Sequence, residues 1–154
     1  MVYSTDTSRV GNPMSTEQQR HRYALSLTVR YADTDAQGHV FFANYLTYAD
    51  EGLTGYLAAV GCSYSALGEQ ALDLIYAASR CSHRASARFG DVLQIHTAIT
   101  TLGNTSVTTS VQVCRGDELL AEIELVSVMV DRSTLSPRTI PDTLREAIAR
   151  FESA

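Results

Sequence analysis

Residues 29–45 read VRYADTDAQGHVFFANY, and this stretch joins two different sequence patterns. Residues 25–31, which overlap the beginning of this stretch, alternate between apolar and polar side chains. This period of two predicts a half-buried strand. After it, apolar residues recur at helical spacing as far as Val60, which predicts one long helix with Asn44 as its N-cap. The run 33–39 between them is rich in turn formers, so we predict a loop directly ahead of the helix.

Two glycines interrupt the predicted helix. Gly52 and Gly55 should each cost about 1 kcal/mol relative to alanine. A sheet that wraps closely around the helix would explain them, and so would a wrong helix prediction. Gly61 is suited to the position after the helix C-terminus.

The remainder of the chain predicts strands and one short final helix. An extended segment is expected from residue 72 to about 85, and glycine-containing turns then separate three alternating strands within residues 92–130. Pro141 suits the first position of a helix, and Leu144, Ile148 and Phe151 form its apolar stripe. The predicted class is therefore α+β, with one long central helix wrapped by a five-stranded antiparallel sheet.

The predicted domain organisation is simple. Residues 1–22 are polar and without periodicity, so we expect a disordered or loosely packed tail ahead of a single domain at 23–154. A sheet of this kind has long exposed edges, which favour pairing with a second copy of the chain. A homodimer is expected on that ground.

Composition and charge exclude several classes of function. The chain has 154 residues, a net charge of −5 and no apolar run of membrane-spanning length, so we expect a cytoplasmic protein that binds neither nucleic acid nor membrane. All 12 basic residues are arginine, which excludes a lysine Schiff base and a lysine-containing phosphate loop. Cys81 and His83 have no further ligands at metal-binding spacing, so no metal site is expected.

Two aspartates lie in the loop before the predicted helix. The open amides of a helix N-terminus can polarise a carbonyl oxygen, and a carboxylate beside them could attack the carbon or activate water. Asp33 and Asp35 could instead be simple turn and capping residues, and spacing alone favours that interpretation.

The stretch 31–45 resembles the hot-dog-fold thioesterases of the 4-hydroxybenzoyl-CoA thioesterase type, which include the YbgC-like acyl-CoA thioesterases. The resemblance extends to RFGD at 88–91 and SPRTIP at 136–141, and covers roughly residues 24–150. It implies the hot-dog fold and a thioester hydrolase.

The resemblance also implies roles for individual residues. Asp35 would be the catalytic carboxylate, as nucleophile or as general base, and the backbone N–H of Phe42 would polarise the carbonyl. His39 stands where the family often has a small or aliphatic residue and is a possible assistant. Asp50 would contact the substrate, unless it is a solvated or interface carboxylate. Independently of the resemblance, Tyr45 could line an aromatic substrate pocket or could belong to the core. A carboxylate from the helix itself, Glu51 or Asp50, is the alternative to Asp35.

The implied substrate is an aromatic or short-to-medium acyl thioester of coenzyme A, or alternatively of an acyl carrier protein. Arg138, Arg88 and Arg132 would bind the phosphates, and no cofactor is expected beyond coenzyme A as part of the substrate. The implied assembly is a homodimer or a dimer of dimers, that is, a homotetramer. A domain that binds acyl thioesters without hydrolysing them is a second possibility. A dehydratase ranks last, because no histidine lies within residues 44–61.

Overall fold

The computed structural model describes residues 21–154. The predicted tail therefore lies outside the described residues, except for its last two positions. The elements are β1 (Tyr23–Thr28), a 3₁₀ turn (Tyr31–Asp33), α1 (Asn44–Ala59), α2 (Tyr64–Glu69), β2 (Leu72–His83), β3 (Val92–Leu102), β4 (Ser106–Arg115), β5 (Glu118–Asp131) and α3 (Asp142–Ser153). This order confirms the predicted α+β class.

The five strands form one antiparallel sheet in the order β1-β3-β4-β5-β2. The three strands β3, β4 and β5 form the predicted meander, while β1 and β2 are its two edges. Gly90 and Gly116 adopt positive φ angles of 83° and 56° in turns that precede β3 and β5. Glycine accepts this conformation without a steric penalty, which is why the chain can turn tightly there.

Helix α1 packs on one face of the sheet and supplies much of the core. Its buried side chains repeat at helical spacing, and Leu53, Tyr56 and Leu57 are completely inaccessible to solvent. From the sheet, alternate residues of β3, β4 and β5 face the helix, because successive side chains of a strand point to opposite sides. The predicted central helix is thus confirmed.

The two helix glycines lie where α1 approaches the sheet most closely. A Cβ atom on Gly52 would stand 2.5 Å from Thr97 Oγ1 and 2.8 Å from Ile95 Cγ2, both in β3. A Cβ atom on Gly55 would overlap the hydroxyl group of Tyr23 in β1. The close wrapping of the sheet, rather than a wrong helix prediction, explains both residues.

Three local predictions need correction. Asn44 is the first residue of α1 rather than its N-cap, and its side chain donates to the carbonyl of Asp33 instead of to the helix. Pro141 is the N-cap of α3 rather than its first residue. Residues 62–71, to which no helix was assigned from the sequence, contain α2, which is capped by Ser63 and too short to show a helical period.

The edge strand β2 is only partly covered. Helix α1 has its contacts mainly with β3 and β4, so residues 75–80 of β2 are exposed in the single chain. Two clefts of about 370 and 230 Å³ lie beside α3, away from β2. Within residues 21–154, no helix combines the length and apolar character needed to cross a membrane.

Replacing Gly52 by alanine should destabilise the fold. The new methyl group meets two β3 side chains, so we expect the free energy of unfolding to fall by about 1–3 kcal/mol, despite the better helix propensity of alanine. Chemical denaturation measures the change. Glu51→Ala, at an exposed position of the same helix, is the control and should stay within about 0.5 kcal/mol of the wild type. An unchanged or increased stability of Gly52→Ala would contradict the close approach.

Candidate active site

Residues 33–41 form a small hairpin immediately before α1. The amide of Phe41 donates to the Asp33 carbonyl at 2.9 Å, and the amide of Asp35 donates to the His39 carbonyl at 2.8 Å. The turn closes with a 3.0 Å bond from the Gly38 amide to the Asp35 carbonyl, and Gly38 has a φ of 80°. Asp35 and His39 are therefore directly opposed across the hairpin, where Cβ atoms are about 5 Å apart.

The Asp35 carboxylate is half-buried and lightly engaged. Its Oδ1 accepts a 2.8 Å hydrogen bond from the backbone amide of Gln37, which fixes the side chain against the turn. In residues 21–154, no arginine or other side chain forms a hydrogen bond or ion pair with this carboxylate. Asp35 is thus oriented by the backbone while its second oxygen stays available.

The neighbouring Asp33 has the opposite environment. Only 6% of it is exposed, and its carboxylate accepts hydrogen bonds from the backbone and guanidinium of Arg30 at 3.0 and 2.9 Å and from the Tyr48 hydroxyl at 3.1 Å. Burial raises the pKa of Asp33, but the hydrogen bonds and charge of Arg30, with the Tyr48 bond, outweigh it and hold that pKa below the ordinary aspartate value. Asp33 is a structural carboxylate.

The Asp33 backbone links the hairpin to the helix. Its carbonyl oxygen accepts from the Phe41 amide and, at 2.9 Å, from the side-chain amide of Asn44, the first residue of α1. The position of the hairpin is thereby tied to the start of the helix.

The start of α1 offers open backbone donors. The amides of Asn44, Tyr45 and Leu46 donate to carbonyls of residues 41–43. For the amides of Phe42 and Ala43, the described part of the chain provides no acceptor. Because these groups lie at the positive end of the helix dipole, they can stabilise a negative charge, and Phe42 is two-thirds exposed.

His39 and Arg88 border the same hairpin. They pair through an isolated antiparallel bridge, and the guanidinium of Arg88 lies about 3.9 Å from where a Gly38 Cβ would be. The ring Nδ1 of His39 is buried, with no hydrogen-bond partner in the described residues. Asp35, His39, the Phe42 amide and Arg88 are therefore grouped at one end of the sheet.

Tyr45 and Asp50 are held by other parts of the chain. Tyr45 is buried, and its hydroxyl accepts a 2.9 Å bond from the Ala87 amide, while the Ala87 carbonyl accepts from Val40 in the hairpin. Burial raises the pKa of Tyr45. Asp50 accepts a 2.5 Å hydrogen bond from the Tyr76 hydroxyl in β2. Tyr45 thus supports the hairpin, and Asp50 is joined to the edge strand.

Arg132 and Arg138 lie far from the hairpin. Arg138 pairs with Asp131 at 3.2 Å at the end of β5, and the Arg132 guanidinium lies against Gly68 of α2. Arg88 is near the beginning of β3, at the opposite end of the sheet. One chain therefore does not bring the three predicted arginines together.

Sequence reasoning did not find the partners of the site residues. Tyr76 lies 26 positions from Asp50, and no local spacing signals their contact. Tyr48 is a different case, because it lies one helical turn after Asn44 in the predicted helix. That spacing places both side chains on one face of the helix, although it does not identify Asp33 as their common partner.

A family model described as the thioesterase-like superfamily matches residues 29–148, which include the hairpin, α1, strands β2–β5 and most of α3. Among curated proteins, the chain is 31% identical over 125 residues to the acyl-CoA thioester hydrolase YbgC of Escherichia coli O6:H1, covering 80% of this chain and 91% of that protein. It is 23% identical to a 1,4-dihydroxy-2-naphthoyl-CoA hydrolase of Synechococcus elongatus, covering 80% of this chain and 93% of the relative.

A solved structure of a gentisyl-coenzyme A thioesterase superposes with a TM-score of 0.76 at 25% identity, covering 82% of this chain and 99% of that chain. The shared architecture confirms the hot-dog arrangement of one long helix against a five-stranded antiparallel sheet.

Replacing Asp33 by asparagine should destabilise the hairpin and the fold together. Asparagine keeps the shape but loses the charge that Arg30 and Tyr48 contact, so we expect a loss of about 1–3 kcal/mol at pH 7, measured by denaturant unfolding. The Arg30 side chain is 75% exposed, so its ion pair supplies the smaller part. Glu124→Gln, the same chemical change on an exposed strand position, should have little effect.

The difference in stability between the wild type and Asp33→Asn should depend on pH. Because the folded-state pKa of Asp33 is depressed, its stabilisation is present above an unfolded-state pKa of about 4 and is lost as the pH falls through the lower folded-state value. The stability gap between wild type and Asp33→Asn should therefore narrow below pH ~4. A gap that stays constant or widens on acidification would contradict the ionised, hydrogen-bonded Asp33.

Proposed function

The chain belongs to the thioesterase-like superfamily, and we propose that it hydrolyses acyl-CoA thioesters, using Asp35 as the catalytic carboxylate and the Phe42 amide as the donor to the thioester carbonyl. One observation carries the proposal. The junction between the hairpin and α1 holds two groups that are open to a substrate. In the described residues, the Asp35 carboxylate has no side-chain partner and the Phe42 amide has no acceptor.

The chemistry requires both groups at once. As negative charge develops on the carbonyl oxygen, the Phe42 N–H at the positive end of α1 stabilises it. Asp35 either attacks the carbonyl carbon, forming an acyl-enzyme that water then hydrolyses, or removes a proton from the attacking water. In either route the coenzyme A thiolate leaves, and because a thiol has a pKa of about 8.5, no strong general acid is needed. Only water is consumed, so the proposal includes no cofactor.

We assign supporting roles to the two side chains beside the hairpin. The buried Nδ1 of His39 has no hydrogen-bond partner in the described residues, so His39 can orient the water or assist the departing thiolate. Arg88 is exposed beside Gly38 and can bind a phosphate of coenzyme A through its planar guanidinium. These roles are smaller than that of Asp35.

The surroundings of the helix carboxylates disfavour them as the catalytic group. Asp50 already accepts a hydrogen bond from Tyr76, and Glu51 is exposed on the helix surface. Relatives named for gentisyl-CoA and dihydroxynaphthoyl-CoA support an aromatic acyl group, and YbgC supports acyl-CoA substrates more generally. An acyl-carrier-protein thioester, which carries the same pantetheine arm, is the alternative substrate.

We also propose a homodimer in which β2 pairs with β2 of a second copy. The strand is a long edge whose residues 75–80 are exposed, and such edges readily pair. A two-fold axis would make the pairing antiparallel, so the end of one sheet that carries Arg132 and Arg138 would lie beside the hairpin end of the other. The three arginines predicted to bind coenzyme A could then share one site across the interface.

Asp35→Asn should abolish most of the thioesterase activity. Loss of a general base or nucleophile predicts a fall in kcat of at least about 10²-fold, measured as thiol release from aromatic and aliphatic acyl-CoA substrates. His39→Ala should cause a smaller loss, and Glu124→Gln none. In ¹⁸O water under single turnover, label in the Asp35 carboxylate identifies the nucleophilic route. Equal rates for wild type and Asp35→Asn would refute the catalytic assignment, and binding without thiol release by the wild type would indicate the non-catalytic alternative.

In solution the protein should have at least twice the 16.8 kDa mass of one chain. Sedimentation or light scattering at micromolar concentration measures this mass. If the partner completes the site, activity per chain should fall on dilution in parallel with dissociation. A fully active monomer would contradict both the interface and the shared arginine site.

A further inference from the structure

A hydrogen bond between Tyr76 and Asp50 joins the edge strand to the central helix. The Tyr76 hydroxyl donates to Asp50 Oδ1 at 2.5 Å, although the two residues are 26 positions apart. Tyr76 pairs in register with Ser127 of β5, which is 1% exposed and therefore lies on the helix-facing side of the sheet. The bond thus crosses the space between α1 and β2.

On the hairpin side of this bond, the helix-facing side of β2 is uncovered. Ser79 and Cys81 pair with Leu125 and Ile123 of β5, which are buried, while Ser79 itself is exposed and Cys81 half-buried. His83, farther along the strand, lies edge-on to Tyr45 with ring centroids 5.1 Å apart. An uncovered strip of β2 beside α1 therefore extends from the hairpin end to the Tyr76–Asp50 bond, and we infer that it forms a groove.

The Tyr76 side chain is held in place by two further features. The strand register shifts between Tyr76 and Ala78, and a bulge of this kind re-aims the side chains beside it. Tyr64, in α2, lies beside Tyr76, and each of the two phenols influences the pKa of the other. Burial and the charge of Asp50 raise the pKa of Tyr64 to about 12, so both phenols stay protonated near neutral pH. The position of Tyr76 therefore depends on three elements, namely α1, α2 and β2.

We propose that the Tyr76–Asp50 bond ends the acyl groove and limits the length of the acyl group that the enzyme accepts. This inference rests on the proposed thioesterase function. The bond lies eight residues along α1 from Phe42, or about 12 Å at the helical rise per residue. An extended acyl chain zigzags, so each C–C bond of about 1.5 Å advances it by only about 1.25 Å, and it reaches that distance at about ten carbons.

The test measures acyl-length profiles for wild type, Tyr76→Ala and Tyr76→Phe. Thiol release is followed with a series from butanoyl-CoA to hexadecanoyl-CoA, each below its micelle concentration, and with a parallel series of phenylalkanoyl-CoAs. For the wild type, kcat/KM should fall at least tenfold between decanoyl-CoA and hexadecanoyl-CoA. Tyr76→Ala should remove most of that fall, and Tyr76→Phe, which keeps the ring but loses the hydrogen bond, should remove part of it.

The matched control is Ile75→Ala, an exposed position of the same strand whose side chain points to the opposite face. It should keep the wild-type length profile. If Tyr76→Ala does not fold, as judged by circular dichroism, Tyr76→Phe and Asp50→Leu take its place, since the first removes the donor and the second the acceptor of the same bond without a large change in shape.

The outcomes separate the two proposals. The length limit is overturned if the wild type hydrolyses hexadecanoyl-CoA as fast as decanoyl-CoA. It is also overturned if Tyr76→Ala and Tyr76→Phe leave the length profile unchanged. In both cases the thioesterase function stands. If no substrate releases thiol, the proposed function fails. Dissociation constants of the same acyl-CoAs for Asp35→Asn then decide the length limit, which is supported by weaker binding beyond ten carbons and overturned by a flat profile.

Discussion

The buried carboxylate of Asp33 is the constraint on which the functional end of the molecule depends. It draws together Arg30 at the end of the first strand region and Tyr48 on the second turn of α1, while its carbonyl accepts from Asn44. These contacts fix the hairpin relative to the helix without using Asp35. A charged group shielded by several donors thus maintains the geometry, and the adjacent carboxylate of Asp35 keeps one oxygen that has no hydrogen bond in the described residues.

The close packing of α1 on the sheet is the second determinant. Gly52 and Gly55 allow the helix to lie against β3 and β1, so its axis is displaced from the far edge of the sheet. Part of the helix-facing side of β2 consequently stays uncovered, and the backbone edge of the strand is open. The same displacement explains both the groove and the surface that we assign to a second copy, which would place substrate binding next to the subunit boundary.

Much of this architecture could be predicted from local sequence patterns, because period-two strands, glycine turns and a helical stripe each depend on nearby residues. The short helix α2 was missed since six residues show no period, and Asn44 was misplaced because its side chain serves the hairpin rather than the helix end. The position of Asp35 in a loop before α1 was predictable. The Asp50–Tyr76 contact and the separation of Arg88 from Arg138 were not, because they arise from strand order in three dimensions.

The hairpin and the lining of β2 are built by different contacts. The hairpin is maintained by backbone hydrogen bonds and by Asp33, whereas the side chains of Ser79 and Cys81 form no hydrogen bond with it in the described residues. Substitutions along that side of the strand can therefore alter which molecules fit without disturbing the reactive groups. In evolutionary terms, the fold separates a part that must be kept from a part that is free to diversify, so that related enzymes can acquire new preferences through a few changes in one strand.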